Sequence, residues 1–430
     1  MAGEWPTVTV GDLAESISET HKFGKDHLVF LNTSDVLLGK LLHHSYSAVR
    51  DWPGQAKKSI RKDDILFSEI RPANGRWAYV DIVADDYVVS TKLMVIRSRT
   101  NGVLPRFLYH FLTGIDTTRW LQHLAESRSG TFPQITFDQV AELELSLPPL
   151  DAQVKIAEFL DALDDKIELN RRMNEMLEAM ARALFQSWFV DFDPVRAKSE
   201  GRDPDLPQAL ADLFAARLVD SELGETPEGW EVGTFSDAVE VLRDQENPLE
   251  SPGTLFHHFS IPAFDSSQWP KEELGESIKS LKSRVPPGVV LLSKLNPEIE
   301  RVWFVDVKPN DRALCSTEFL VLRPRPPAGR SFAYCLARSP VLRQEIEGLV
   351  TGTSKSHQRA QANSILGLGV VRPPATVVEA FERTAGSWLE RTVECRLECR
   401  TLAALRNTLL PRLISGELRV RDAERNVEVA

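Results

Sequence analysis

The sequence repeats itself once, at a nearly constant offset of 225 residues. Trp5 is matched by Trp230, and the segment Ile65–Ser68 (ILFS) is matched by Val290–Ser293 (VLLS). Further matches keep this offset over about 180 residues, which is the signature of one structural module built twice. The chain is therefore expected to fold as two similar globules and not as a single undivided domain.

Each copy carries the signals of a mixed α/β fold. Short runs rich in Val, Ile and aromatic residues, separated by turn residues, predict strands. The predicted strands are Trp77–Val83, Tyr87–Ile96, Val289–Leu292, Arg301–Val307 and Glu318–Leu322. The predicted short helices are Arg106–Leu112 and Arg330–Ala337.

A proline pair closes each globule, and a long helix is predicted after it. Proline disfavours helix in the residue before it but suits the start of a helix. The chain is accordingly divided into a first globule (1–150), a long helix (151–191), a linker (192–226), a second globule (227–375), a second long helix (376–418) and a C-terminal tail (419–430). Within the linker, a short helix is expected at Leu206–Leu218.

The two long helices each carry apolar or small residues at steps of four and three, which predicts a coiled-coil seam. The first seam is Ile156, Leu160, Leu163, Ile167, Asn170, Asn174, Leu177, Ala181 and Leu184. The second seam is Phe381, Ala385, Trp388, Thr392, Cys395, Cys399, Leu402, Arg406 and Leu409. One interpretation is that each helix packs only on its own globule. Because a helix of about 40 residues is about 60 Å long, we favour two antiparallel helices that relate the copies by a pseudo-twofold axis and hold the globules apart.

The composition is that of an ordinary globular protein, with 42% hydrophobic and 26% charged residues in 430. No stretch approaches the length of a membrane span, and the N-terminus lacks the pattern of a secretion signal, so a cytoplasmic location is expected. Four cysteines without CxxC spacing predict reduced thiols and no metal site. These cysteines are Cys315, Cys335, Cys395 and Cys399.

A net charge of −11 by itself argues against a nucleic-acid binder, but the acidic excess does not lie mainly in the two globules. Residues 1–150 hold 16 Lys and Arg against 18 Asp and Glu, and residues 227–375 hold 17 against 18. Each globule is therefore nearly neutral, and its local basic runs could face DNA.

Several segments, taken in order, resemble the specificity subunit of a Type I restriction-modification system, and the likeness covers nearly the whole chain. The segments are Ser129–Thr131 (SGT), Leu147–Leu150 (LPPL), Gln153, Trp188–Val195 (WFVDFDPV), Asp220–Gly224 (DSELG), Pro227–Trp230 (PEGW) and Leu409–Leu418 (LLPRLISGEL). The second copy departs from this pattern, because Val377–Val378 stands where the first has Gln153.

The resemblance implies that the globules are two target-recognition domains, each of which reads one half of a split site in double-stranded DNA. It also implies two modification methyltransferase subunits, which bring S-adenosylmethionine, and restriction subunits that use ATP and Mg. This chain is expected to bind no cofactor and to have no catalytic residue: Gly352–Ser356 lacks phosphate-loop spacing. The alternative hypothesis is a protein-interaction scaffold without DNA specificity.

Direct readout of bases uses forked donors and amides, whereas Lys, Ser and Thr fix phosphates. Loops that combine both kinds of residue are the candidate DNA contacts. In the first copy they supply Lys57, Lys58, Arg61, Lys62, Arg71, Asn74, Arg76, Arg128, Ser129, Thr131 and Gln134. In the second copy they supply Lys279, Lys282, Arg284, Lys294, Asn296, Lys355, Ser356, His357, Gln358 and Arg359.

Overall fold

The computed structural model describes residues 5–99, 101–128, 132–350 and 358–428. The chain divides into two compact units. Unit 1 combines Met1–Leu169 with Glu398–Ala430, and unit 2 is Asn170–Leu397. Each unit therefore contains one copy of the repeat together with parts of both long helices.

The strands of the first copy form two four-stranded sheets, with orders β6-β3-β10-β7 and β2-β11-β8-β9, and the two-stranded pairs β1-β12 and β4-β5. They are β1 (Thr7–Thr9), β2 (Ala14–Ile17), β3 (His27–Leu31), β4 (Val36–Leu37), β5 (Lys40–Leu41), β6 (Tyr46–Ala48), β7 (Ala56–Ser59), β8 (Ile65–Ser68), β9 (Trp77–Tyr79), β10 (Tyr87–Ser90), β11 (Leu93–Ser98) and β12 (Glu144–Ser146).

Unit 2 repeats this topology in its sheets β19-β18-β23-β20-β17 and β16-β24-β21-β22 and in the pair β15-β25, and adds the hairpin β13-β14. Its strands are β13 (Leu218–Ser221), β14 (Gly224–Pro227), β15 (Glu231–Thr234), β16 (Val239–Leu242), β17 (Gln245–Glu246), β18 (Leu255–Phe259), β19 (Lys271–Leu274), β20 (Lys282–Arg284), β21 (Val290–Ser293), β22 (Val302–Phe304), β23 (Ala313–Cys315), β24 (Phe319–Pro324) and β25 (Gly369–Arg372). Both copies share one unusual feature, a single parallel pair, β3-β10 and β18-β23, among antiparallel neighbours.

Helices connect and cover these sheets. They are α1 (Val10–Leu13), α2 (Pro105–Thr113), α3 (Ile115–Arg128), α4 (Phe137–Ala141), α5 (Leu150–Phe189), α6 (Asp193–Ser199), α7 (Gln208–Ala211), α8 (Phe235–Ala238), α9 (Ile261–Ser267), α10 (Arg330–Arg338), α11 (Pro340–Gly348), α12 (Ala362–Leu366), α13 (Ala375–Ile414) and α14 (Val420–Glu428). Short 3-10 turns lie at Thr33–Asp35, Val49–Asp51, Pro72–Asn74, Pro248–Glu250 and Gly275–Ser277. The predicted mixed α/β fold with two long helices is confirmed.

The core explains why the repeat is visible in the sequence. The central strands β8 and β21 are buried along their whole length, so their side chains are apolar or small on both faces. The register is also repeated: Ile96 faces Ile65 across β11 and β8, as Leu322 faces Val290 across β24 and β21. Because both copies pack these strands in the same way, matching positions keep the same types of residue.

The two long helices pack antiparallel within each unit. In unit 1, Leu163, Ile167 and Leu402 form a buried cluster, and Arg406 pairs with Asp164 at 3.3 Å. In unit 2, the Cys395 thiol lies 3.6 Å from the Met173 sulfur. The approach of late α13 residues to early α5 residues, and the reverse, fixes the antiparallel direction.

Several predicted elements are wrong in detail. The predicted strands Trp77–Val83 and Arg301–Val307 are shortened to β9 and β22. The predicted strand Tyr87–Ile96 is two strands in different sheets, because the chain leaves the first sheet at Thr91, whose amide donates to the Gln55 carbonyl at 2.9 Å. The predicted linker helix Leu206–Leu218 is reduced to α7. There the Lys198 ammonium donates to the carbonyls of Ala211 and Phe214 at 2.6 and 2.7 Å.

The second long helix ends before residue 418. It stops at Ile414, and the chain turns at Gly416, which has a φ of +76°. A glycine in the left-handed region is a common helix terminator because it has no Cβ to clash. The Leu418 amide then donates to the Arg412 carbonyl at 2.9 Å, so the motif Leu409–Leu418 contains both the end of α13 and its cap.

Candidate nucleic-acid interface

The structure separates the candidate DNA contacts by what their side chains already bind. Some candidates lie outside the described residues. These are Ser129, Thr131, Lys355, Ser356 and His357, together with the side chain of Arg128.

The basic run after β6 is only partly available to a ligand. Lys57, Arg61 and Lys62 are exposed. Lys58 is 8% exposed, and its ammonium donates to the Leu93 carbonyl at 2.8 Å. Burial lowers the pKa of this lysine, and its charge serves the fold, so the candidate set loses Lys58.

The side chains of the corresponding run in the second copy already have partners, although Lys279 and Arg284 are exposed. Lys279 donates to the Glu276 carbonyl at 2.7 Å. Lys282 is half-buried, where desolvation lowers its pKa, and it donates to the Ser280 hydroxyl. Arg284 pairs with Glu246 at 2.9 Å, so this run offers less free positive charge than its sequence indicates.

The clearest equivalence between the copies lies in two hairpin loops, named here loop A (residues 69–76, between β8 and β9) and loop B (residues 294–301, between β21 and β22). Each loop follows a buried serine, whose hydroxyl makes two hydrogen bonds to the backbone of the residue two positions further along the chain. Ser68 accepts from the Ile70 amide at 3.0 Å and donates to its carbonyl at 3.2 Å. Ser293 does the same with Leu295, at 3.2 and 3.1 Å.

Each loop is also bonded to a distant segment that precedes a short helix. Ile135 donates its amide to the Glu69 carbonyl at 2.9 Å, and Ala360 donates to the Lys294 carbonyl at 3.0 Å. Each residue of the first pair is matched in the second pair by the residue 225 positions later. The backbone frame of loops A and B is therefore the same in both copies.

At the third position of each loop the backbone adopts the left-handed conformation. Arg71 has a φ of +45° and Asn296 a φ of +48°. The Arg71 amide donates to the Pro133 carbonyl at 3.1 Å, and the Asn296 amide donates to the Gln358 carbonyl at 2.8 Å. Equivalent backbone hydrogen bonds thus accompany the left-handed conformation in both copies, although one residue is Arg and the other is Asn.

The last residue of each loop is an arginine that anchors the loop. Arg76 is half-buried and donates to the carbonyls of Ser34 and Val36 at 2.9 and 3.3 Å. Arg301 is 7% exposed and forms two hydrogen bonds with Asp265, at 2.7 and 2.9 Å. Arg76 is therefore a structural residue. Arg301, which was not a candidate, was identifiable as its partner at the 225 offset.

Charges on the two loops are exchanged between the copies. Glu69 in loop A lies 3.7 Å from Lys92. At the equivalent positions the second copy has Lys294 and Glu318, and Glu318 receives two hydrogen bonds from Arg359, at 3.0 and 2.8 Å. The carboxylate thus lies in the loop in the first copy and in the turn before β24 in the second copy, where it binds Arg359.

A helix next to each loop supplies contacts that sequence analysis missed. On α3, the Gln122 side chain accepts the Ala73 amide at 3.1 Å, and Arg119, Trp120 and His123 are exposed on the same helix. These residues have no motif. Only a tryptophan close to an arginine and a histidine gives a signal in the sequence.

In the second copy the supporting contact comes from the equivalent helix. Arg343 on α11 donates to the Pro297 carbonyl in loop B. Loops A and B are therefore each supported by the helix that follows α2 or α10, through different side chains.

The other candidate side chains in the loops are Asn74, which is exposed, and Gln134, Lys294, Asn296 and Gln358, which are half-buried. The amide oxygen of Asn296 is buried and has no hydrogen-bond partner among the described residues. Arg71 is exposed. Of the candidates within loops A and B, Arg71 and Asn74 are the exposed ones.

Most seam positions of the long helices are buried or half-buried, as an internal face requires. Those at 9% exposure or less are Ile156, Leu160, Leu163, Ile167, Asn170, Ala181, Phe381, Ala385, Thr392, Cys395, Leu402 and Leu409. The half-buried ones are Asn174, Leu177, Leu184, Trp388, Cys399 and Arg406. Neither side-chain polar atom of Asn170 has a partner among the described residues.

The described ranges show neither a metal site nor a membrane-spanning helix. No three His, Cys, Asp or Glu side chains there converge as metal ligands would. All four cysteines are free thiols, and burial raises the pKa of Cys315 and Cys335 to about 12. No helix in the described part of the chain has the length and apolar character needed to cross a membrane.

Comparison with known proteins agrees with this architecture. The family model of the Type I restriction modification DNA specificity domain matches residues 2–179. The Type I restriction enzyme HindI specificity subunit of Haemophilus influenzae is 34% identical, over 96% of this chain and all of that protein. The MjaIX specificity subunit of Methanocaldococcus jannaschii is 25% identical, over 75% of this chain and 71% of that protein.

One solved structure shows the same fold. It is the S subunit of a Type-I restriction-modification system from M. genitalium, which is 13% identical and has a TM-score of 0.57 over 95% of this chain and 96% of that one. Together with the extent of the likeness to the HindI subunit, these matches establish that the chain belongs to the family of Type I restriction enzyme specificity subunits.

Proposed function

We propose that the chain is the DNA sequence-recognition subunit of a Type I restriction-modification complex and binds a bipartite target, with one half-site for each copy of the repeat. The observation that carries this proposal is the matched pair of loops A and B. Their backbone frames share the serine bonds, the bonds to the distant segment and the left-handed third residue, whereas their outward residues differ, as two readers of different half-sites require.

The interface is weakly charged, and this fits a subunit that works within a larger complex. Many of its cations are bound to carbonyls or carboxylates, such as Lys58, Arg76, Arg284 and Arg359. Phosphate contacts supply most non-specific affinity, so the isolated chain should bind DNA weakly. The partners would add affinity.

The partners in this proposal are two modification methyltransferase subunits, which carry S-adenosylmethionine, and restriction or translocase subunits that use ATP and Mg. The long helices are the surface on which we expect the modification subunits to dock. The complex would act in the cytoplasm. The recognition subunit itself contributes binding and positioning and performs no chemical step.

The experiment is to purify the chain with its modification subunit and map methylated adenines by single-molecule sequencing. Methylation should occur at one bipartite sequence. Replacing residues 1–150 with those of a relative should change one half of that sequence and leave the other half unchanged. Methylation that ignores sequence, or a swap that changes both halves, would contradict the proposal. A scaffold without DNA specificity predicts no bipartite sequence at all.

A further inference from the structure

Arg71 occupies a backbone conformation that its residue type does not favour. It has a φ of 45° and a ψ of 74° at the entry to the 3-10 turn Pro72–Asn74. Left-handed conformations are uncommon for residues with a side chain, although Asn adopts them several times more readily. Asn296 fills the equivalent place in loop B, at a φ of 48°. The frame therefore accommodates Asn well, and its geometry does not explain the arginine at position 71.

The backbone around Arg71 is held on three sides. Its amide donates to the Pro133 carbonyl at 3.1 Å, and its carbonyl accepts the Asn74 amide at 2.9 Å. The following Ala73 amide donates to Gln122 at 3.1 Å. A side chain on such a frame projects from a fixed point, and this lowers the entropy lost on binding a ligand.

The guanidinium of Arg71 is available to a ligand. The other arginine of loop A is engaged, because Arg76 donates to two carbonyls. Arg71 is exposed and has no ion-pair or hydrogen-bond partner among the residues that the structure describes. Strained residues that persist on a rigid frame are concentrated at functional sites.

We propose that Arg71 is a specificity-determining residue that reads a guanine in the half-site bound by the first copy, an inference that rests on the proposed function. The two donors of a guanidinium edge match O6 and N7 of guanine in the major groove, and they match no other base pair equally well. The second copy, with Asn296 at the equivalent place and its amide oxygen buried, cannot form this contact. The two half-sites therefore differ at the base that faces this position.

The test compares Arg71→Asn and Arg71→Lys in the complex with the modification subunit, using duplexes that vary one base pair at a time. Arg71→Asn introduces the residue that loop B has at the equivalent position, so the folding of loop A should be preserved. The preference for guanine at one position of one half-site should fall about ten- to a hundred-fold. The other half-site should be unaffected.

Arg71→Lys separates base reading from phosphate binding. Lysine keeps the charge but lacks the fork, so the guanine preference should weaken while affinity for non-specific duplex is retained. An equal loss of affinity for every duplex with Arg71→Asn, restored by lysine with no change of base preference, would assign Arg71 to phosphate and overturn the inference. Arg50→Asn, which removes an arginine side chain that is 87% exposed, is the matched control and should leave every base preference unchanged.

The outcomes also separate this inference from the proposed function. A wild-type complex without a bipartite preference would refute the proposed function itself. A wild-type complex with a bipartite preference that Arg71→Asn leaves intact at every position would refute only the role of Arg71.

Discussion

Units 1 and 2 join their globule to the long helices at equivalent places but by different chemistry. In unit 1 the buried Gln153 side chain accepts the Leu104 amide at 2.7 Å and donates to the carbonyls of Gly102 and Pro148 at 3.0 and 2.8 Å. In unit 2 the equivalent residue is the buried Val378, which has no hydrogen-bonding group. The connection there must be made by other residues.

Unit 2 replaces this amide by a carboxylate and a cluster of rings. Glu382 accepts the amides of Ser331 and Phe332 at 3.3 and 2.7 Å, at the start of α10. A negative charge is favourable at the N-terminus of a helix. One turn of helix separates Glu382 from Val378, so the anchor has moved along α13 without changing which elements it connects.

The apolar contacts differ in the same way. Phe381 packs against Phe185, Trp188, Phe189 and Phe332, with ring centroids 5.4 to 6.4 Å apart. The residues at the same places in unit 1 are Ile156, Leu410, Leu413, Ile414 and Phe107, and all of them are buried. The comparison shows that an architecture of this kind constrains position and burial more strongly than residue identity.

The largest effect that distinguishes the units is expected from Phe381→Ala. Removing a fully buried ring from a ring cluster should lower the free energy of unfolding of unit 2 by about 3–5 kcal/mol. Chemical denaturation followed by hydrogen exchange of peptides from each unit measures where the loss falls. Met180→Ala, at a side chain that is 40% exposed on α5, is the control and should have little effect. A cost for Phe381→Ala below 1 kcal/mol would show that the rings do not hold the helix.

The next effect is expected in unit 1, from Gln153→Ala. The substitution removes the three hydrogen bonds that Gln153 makes with the half-buried Leu104 amide and with the carbonyls of Gly102 and Pro148, so the free energy of unfolding should fall by about 2–4 kcal/mol. Hydrogen exchange should place the loss around the start of α5. Val154→Ala, at the neighbouring and 38% exposed position, provides the control. Equal effects of the two substitutions would mean that the three hydrogen bonds contribute little.

Smaller and equal effects should come from the serines that begin loops A and B. Ser68 and Ser293 are each 2% exposed and make the same pair of bonds. Ser68→Ala and Ser293→Ala should each cost about 1 kcal/mol, and the double variant should cost their sum because the sites are independent. Denaturant midpoints provide the measurement. Clearly unequal costs would break the equivalence of the two frames.

The smallest effect is a dependence on pH that comes from His258, a half-buried histidine of unit 2. His258 bonds to Glu273 at 2.7 Å, and its position in the sheet is that of Phe30 in unit 1. Burial lowers the pKa of His258 below its usual 6.5. Its contribution to stability is therefore present above about pH 6.5 and is lost as the pH falls towards the folded value.

Thermal unfolding between pH 7.5 and 5 checks this expectation. His258→Gln should flatten the loss of stability on the acid side, whereas the matched variant His257→Gln should retain it. A wild-type curve that is flat over this range would contradict the role of His258.

Much of the fold was predictable from the sequence because packing preserves residue type. The buried strand pairs Ile65–Ser68 and Val290–Ser293 revealed the repeat, and the helical spacing of Ile156 and Leu160 revealed the long helix. The break at Thr91 was not predictable, since both strands beside it are apolar and only the partner strand decides the sheet.

The candidate interface was predictable as loops but not as residues. Lys58 and Lys57 are indistinguishable in sequence, yet only one is exposed, because alternate side chains of a strand face opposite sides. Arg71 and Arg76 belong to one loop, but only the structure shows that Arg76 is bound to carbonyls and that Arg71 stands on a left-handed backbone.

The exchanged charges around loops A and B bear on how such a chain can evolve. The Glu69 amide bonds to the Lys92 carbonyl in the first copy, as the Lys294 amide bonds to the Glu318 carbonyl in the second. A recombination that joined the loop of one copy to the strand of the other would keep this backbone bond but would bring two carboxylates or two ammonium groups together. Genetic exchange between the copies therefore avoids a like-charge contact only when the loop and the turn before the neighbouring strand are exchanged as one block.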